Sequence, residues 1–156
     1  MSLGGVQEAI AAEVIAPMEE EMPILNVQLS GAPDATLAAK VAATLSDLTA
    51  RILRKDPKVT AVAVSFVPAE QWFVGGEVLS AKGRSSFSLD ILVVDGTNTK
   101  DEKAAYLEAV FAAMSGLLPN LDEESYILVR EVKADAYGYG GRTQESRYVE
   151  KKLRAA

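Results

Sequence analysis

Two ten-residue stretches, 65 positions apart, set aromatic and acidic side chains beside a glycine pair. Val67-Pro68-Ala69-Glu70-Gln71-Trp72-Phe73-Val74-Gly75-Gly76 recurs as Val132-Lys133-Ala134-Asp135-Ala136-Tyr137-Gly138-Tyr139-Gly140-Gly141. Trp72, Tyr137 and Tyr139 offer flat walls of the kind that shape a small pocket or pack beside a turn. Glu70 and Asp135 are equivalent acids at turn positions, where solvation is the simplest reading. Neither glycine pair is followed by Lys-Ser/Thr and a helix start, so these are not phosphate loops. They are expected to permit hairpins or bulges. The chain has no His and no Cys. That removes the commonest general base, the commonest metal ligand, thiol nucleophiles and thiolate metal sites. Acid–base chemistry is left to carboxylates, Lys, Tyr or an amino terminus, and no metal or cofactor is expected.

The 65-residue offset runs without a gap well beyond these stretches: Gly31 falls on Gly96, Ala39 on Ala104, Leu53 on Leu118 and Val64 on Val129. One unit used twice must therefore explain most of the chain. The first unit starts at Pro23 and the matching position is Ser88. Each unit reads strand, helix, strand. Leu25, Val27 and Leu29 alternate with Asn26 and Gln28, a half-buried strand. Asp34 is placed to cap a helix with Leu37, Val41, Leu45, Leu48 and Ile52 in one stripe, ended by Lys55-Asp56-Pro57. Val59 to Val67 is the returning strand. In the second unit Phe87 to Val94 is a strand, and Thr99 and Glu102 have capping-box spacing. Leu107, Val110, Phe111, Met114 and Leu118 make the stripe, Pro119-Asn120 stops the helix, and Tyr126 to Val132 is the last long strand. The expected fold is α+β: two β-α-β repeats forming a four-stranded sheet with two helices on one face. The other face carries Ala61, Ala63, Leu92, Leu128 and Val132, and other subunits are expected to cover it.

The 156 residues suit a single domain of two repeats (22–86 and 87–141), with an extension over 1–21 and a tail over 142–156. Gln7 to Ile15 has the spacing of a short helix. A net charge of −6 argues against nucleic acid as a partner. The basic residues of the tail are interleaved with Glu145 and Glu150, so a solvated tail or a subunit contact is expected there. No apolar run reaches membrane-span length and no basic secretory n-region is present, so a cytoplasmic protein with no membrane partner is the default.

Two β-α-β units, Met22-Pro23 at the head of a strand, and Val67-Pro68 separated by six residues from Gly75-Gly76 together resemble the tautomerase superfamily. That superfamily includes 4-oxalocrotonate tautomerase and macrophage migration inhibitory factor. The resemblance is to its longer, internally duplicated members and covers about Pro23 to Gly141. It implies a homotrimer whose sheets surround a central barrel, and a small 2-oxo acid or enol as substrate. It also implies a proline base at the amino terminus: a secondary amine that an apolar pocket keeps neutral near pH 7. By this match Pro23 is the base. Lys55, with Lys58 as a rival, would bind the acidic end of the substrate. Tyr126 would reach a neighbouring subunit's site, and Trp72 and Tyr139 would shape the pocket. Taken alone, the same residues read as a strand-start proline, a helix C-terminal cation and aromatic packing.

The departures carry weight. The arginines of 4-oxalocrotonate tautomerase fall on Ala32 and Ala61, and the paired arginines of the dehalogenase and decarboxylase members fall in Val94-Asp95-Gly96-Thr97. Arg84, Arg130 and Arg142 are left as spatial substitutes. Pro23 follows Met22 in a peptide bond, where its nitrogen is an amide without basicity. Two functions stay open. One is a keto–enol tautomerase that uses Pro23 once it becomes terminal, by initiation at Met22 or by cleavage. The other is a catalytically silent trimer of the same fold acting in binding or assembly.

Overall fold

A computed structural model describes residues 23–155. The expected helix over Gln7 to Ile15 and the extension over 1–21 lie outside the described residues. In strand β1 (Ile24–Ser30) Leu25, Val27 and Leu29 are buried and alternate with exposed Asn26 and Gln28. Asp34 caps helix α1 (Ala35–Leu53), its carboxylate accepting from the Leu37 amide at 3.0 Å. The helix ends at Arg54, which adopts the left-handed conformation at φ 58°. Pro57 opens a 3-10 turn to Val59, and strand β2 (Ala61–Val67) follows. A short hairpin, β3 (Phe73–Val74) and β4 (Glu77–Val78), leads into the four-residue helix α2 (Leu79–Lys82).

The second unit repeats this down to single hydrogen bonds. Strand β5 (Phe87–Val94) precedes helix α3 (Lys100–Leu117), where Thr99 and Glu102 form the expected capping box. Strand β6 (Tyr126–Val132) precedes a second hairpin, β7 (Gly138–Tyr139) and β8 (Arg142–Thr143). The Leu79 amide donates to the Trp72 carbonyl at 2.8 Å, and the Gln144 amide to the Tyr137 carbonyl at 2.7 Å, the same bond one repeat later. Both glycine pairs supply positive φ at consecutive positions (61° and 80°; 60° and 78°), as two-residue hairpin turns of the primed type demand.

Two findings differ from the sequence expectation. The buried stripe of α3 is Tyr106, Val110 and Met114, whereas Leu107 is exposed. Tyr106 takes the inward position because its hydroxyl finds a buried partner in the Thr49 hydroxyl at 2.8 Å. Burial pushes that phenol up to about 12. The residues after the second hairpin, expected as a solvated tail or a subunit contact with no helix assigned, form the largely exposed helix α4 (Gln144–Ala155). It starts where α2 starts in the first unit. α2 stops at Gly83, left-handed at φ 63°, and Tyr148 stands at the equivalent place, so nothing ends the second helix there.

The four long strands lie in the order β2-β1-β5-β6, with an antiparallel β1–β5 pair at the centre and a parallel pair on each side. One face packs Leu25, Val27, Leu29, Leu89 and Ile91 against Val41, Leu45, Val110 and Met114 of the two helices. On the opposite face Ala61, Ala63, Tyr126 and Leu128 are exposed, and the main contacts of α4 are with the turn Ala134–Ala136 and with β8. The expected open face is therefore present in the single chain. Among the described residues no helix is long and apolar enough to cross a membrane.

Candidate active site

The topology decides which residues can meet. β1 and β2 run parallel from Ile24 opposite Ala61, and β5 runs against them with Leu92 opposite Ile24. The heads of β1 and β2 therefore share one end of the sheet with the tails of β5 and β6. Pro23 sits at this end, buried, its carbonyl accepting from the Ala61 amide at 3.2 Å. Lys55 comes to the same end from the loop before β2. It is only 3% exposed, and its Nζ donates to Thr97 Oγ1 at 3.0 Å. Thr97 in turn donates to the Val94 carbonyl at 2.6 Å, so the lysine is tied to the turn that follows β5.

An ion-pair network braces this end. Arg54 donates from Nε to Glu102 Oε2 at 2.8 Å and from Nη2 to Oε1 at 3.3 Å, while Asn98 links the Leu53 carbonyl at 3.0 Å to Glu102 at 3.4 Å. The end of α1 is thus bolted to the start of α3. The Arg54 guanidinium, helped by the Thr99 amide, holds the Glu102 carboxyl down at about 2 against the opposing effect of burial. A carboxyl depressed in the folded state stabilises fully above its unfolded value near 4.5 and loses that contribution as pH falls towards about 2. Glu102→Gln is expected to cost about 2 kcal/mol at pH 7, roughly 4–8 °C in Tm. The gap between parent and variant should close as thermal scans move from pH 5 to pH 2. A constant gap would mean that the charge plays no part.

The remaining sequence candidates separate. Tyr139 lies in the second hairpin, after β6, and so at the proline end. Tyr126 begins β6, level with Ser88 and Gln28, and is 69% exposed at the opposite end. Trp72 follows β2, also at the opposite end, and is half-buried. Within one chain Pro23, Lys55 and Tyr139 share an end and Tyr126 and Trp72 do not. Of the spatial substitutes, Arg84 is exposed just ahead of β5, far from Pro23. Arg130 stands on the open face in the row Ile24–Leu92–Arg130, two strand spacings or about 10 Å from β1. It is held by Asp90 (Nη2–Oδ2 2.6 Å), which raises its pKa. Arg142 pairs with Glu150 of α4.

Sequence reasoning missed what α4 does at this end. A cavity of about 380 Å³ opens between Asp56 and Val59, in the loop before β2, and Tyr139, Arg147, Tyr148 and Lys151 of the second hairpin and α4. Val59 is two residues from Ala61, the partner of Pro23. The signal for α4 was the repeat itself, since Tyr148 replaces the glycine that stops α2.

No protein-family model and no curated protein sequence matches the chain. Solved structures do. A fused 4-OT, F6, determined as a wild-type asymmetric trimer, is 17% identical at a TM-score of 0.67 over 80% of this chain and 98% of that one. Pt0534, inactivated by 2-oxo-3-pentynoate, is 11% identical at 0.69 over 79% and 98%. A macrophage migration inhibitory factor-like protein from Entamoeba histolytica is 15% identical at 0.61 over 78% and 97%. At such identities the likeness shows the fold.

Proposed function

We propose that this chain, which has the tautomerase-superfamily fold, is a keto–enol tautomerase of a small 2-oxo acid, with Pro23 as its base when Pro23 is the amino terminus. The observation that carries this reading is the place of Pro23: buried, at the head of the central strand β1, at the end of the sheet that it shares with Lys55 and the turn after β5. As a free secondary amine in a desolvated position it would lose part of its affinity for a proton and stand neutral near pH 7. It would then take a proton from C3 of the 2-oxo acid as the C2 oxygen becomes an enolate. The enolate gains a proton at oxygen to give the enol, and the reverse path returns the C3 proton. Lys55 would face the carboxylate, Tyr139 would wall the pocket, and Tyr126 and Trp72 would come from neighbouring copies. Self-association into a trimer supplies both, as the open sheet face and the trimeric fused 4-OT structures support.

A second reading rests on the peptide bond between Met22 and Pro23. With that bond intact the nitrogen is an amide and the chain is an assembly of the same fold without this chemistry. The intact mass of the protein purified from its own host separates the two. A mass beginning at Pro23 is expected. A mass that retains residues before Met22 supports the silent assembly instead.

A further inference from the structure

We propose that the acidic run Glu19-Glu20-Glu21 docks, within its own copy of the chain, on the cation-rich surface that α4 and the loop before β2 form, and so covers the Pro23 end of the sheet. The proposal rests on charge and tether length and holds whether or not Pro23 acts as a base. Four cations line the cavity there, Arg142, Arg147, Lys151 and Arg154, against two carboxylates, Asp56 and Glu150. Glu150 is already held between Arg142 and Arg154, and the Arg142 guanidinium lowers its pKa. Lys152 adds a further exposed cation on the same helix. This surface is therefore a positive spot on a chain whose net charge is −6. Its mostly charged lining fits a run of carboxylates.

The occupant follows from where the chain enters the sheet. β1 runs away from this end, so the residues before Pro23 join the fold at the end where α4 and the loop before β2 stand. The Pro23 carbonyl accepts from the Ala61 amide at 3.2 Å, and Val59 of the cavity wall is two residues from Ala61. From chain geometry that wall lies within roughly 10–15 Å of Pro23. Glu21, Glu20 and Glu19 stand two, three and four residues before Pro23. They reach roughly 7–14 Å before their side chains are added. The tether thus brings all three carboxylates to the cations of α4. Exposed ion pairs are individually weak, but a short tether holds the run at an effective concentration of millimolar order. That favours this segment over a free acidic partner.

The test is carbodiimide cross-linking of the 156-residue chain, read by peptide mass spectrometry. The reagent joins a carboxylate to a lysine amine, with loss of water, only where the two touch. A link from the acidic run to Lys151 is expected. It should be at least about threefold more abundant than links from the run to Lys58, which is exposed in the loop before β2 and samples what an undocked tether would meet. Raising salt to about 1 M, where charges are screened beyond about 3 Å, should lower the Lys151 link at least about threefold. In assemblies reformed from unlabelled and heavy-isotope chains, each link should join peptides of one label. The backbone amide signals of α4 should shift when Glu19→Gln, Glu20→Gln and Glu21→Gln are combined. No link to Lys151, equal links to Lys58, a yield indifferent to salt, mixed-label links, or α4 signals unmoved by the triple variant would each overturn the proposal. None of these readouts involves turnover, so failure of this docking and failure of Pro23 as the base are separately visible.

Discussion

Replacing Leu128 with arginine is expected to leave the chain folded but monomeric in sedimentation or light scattering, where the parent is expected to be a trimer. Leu128 is 47% exposed on the open face, opposite Asp90 in the sheet, and it touches none of the helix-side core. The fold of a single copy therefore has little to lose. The proposed assembly has much to lose, since an uncompensated charge pressed into an interface costs about 3–5 kcal/mol, and a threefold assembly meets that cost three times. Leu128→Ala removes only part of a buried leucine, about 1–2 kcal/mol per copy, and should loosen the trimer without abolishing it. A trimer of unchanged stability in Leu128→Arg would mean that this face is not where copies meet.

Freeing Pro23 is expected to have the larger chemical effect. A positioned general base contributes about 10²–10⁴ in rate, and the amide nitrogen of the full chain can supply none of it. The activity of a chain that begins at Pro23 should rise with pH as the pyrrolidinium loses its proton, then level off once the amine is neutral. Leu128→Arg in that shorter chain should also lose activity, because Tyr126 and Trp72 lie at the wrong end of their own sheet to serve their own Pro23. Activity and trimer mass should therefore fall together.

The sheet, both long helices and both hairpins were legible because their signals are local and occur twice. Period-two burial in β1, Asp34 and Thr99 at helix starts, and glycine pairs at the turns each state one element, and the 65-residue offset checks each against its copy. The same offset places Tyr106 on Val41, so the buried stripe of α3 was available to a reading that trusted the repeat over hydropathy. Leu107 is the more apolar residue, but Thr49 offers Tyr106 a buried hydroxyl partner from 57 residues away. Helix α4 was hidden for a related reason: its charged sequence looks solvated, and what ends its counterpart is a single glycine at position 83.

The site was legible only in part. A β-α-β crossover brings the loop before β2 to the head of β1, so Lys55 and Pro23 were bound to share an end. The cationic cavity was not legible, because it depends on α4 lying near Asp56 and Val59, almost a hundred residues earlier in the chain. Nor do the places of Tyr126 and Trp72 follow from one chain.

The most direct measurement is the rate at which solvent deuterium enters C3 of phenylpyruvate, taken side by side on the 156-residue chain and on a chain whose first residue is Pro23. Exchange at the solution background with the first and at least about a hundredfold faster with the second is the predicted result. Equal, background exchange with both, in a folded trimer with Pro23 confirmed as its terminus by mass, would contradict the assignment of Pro23 as the base.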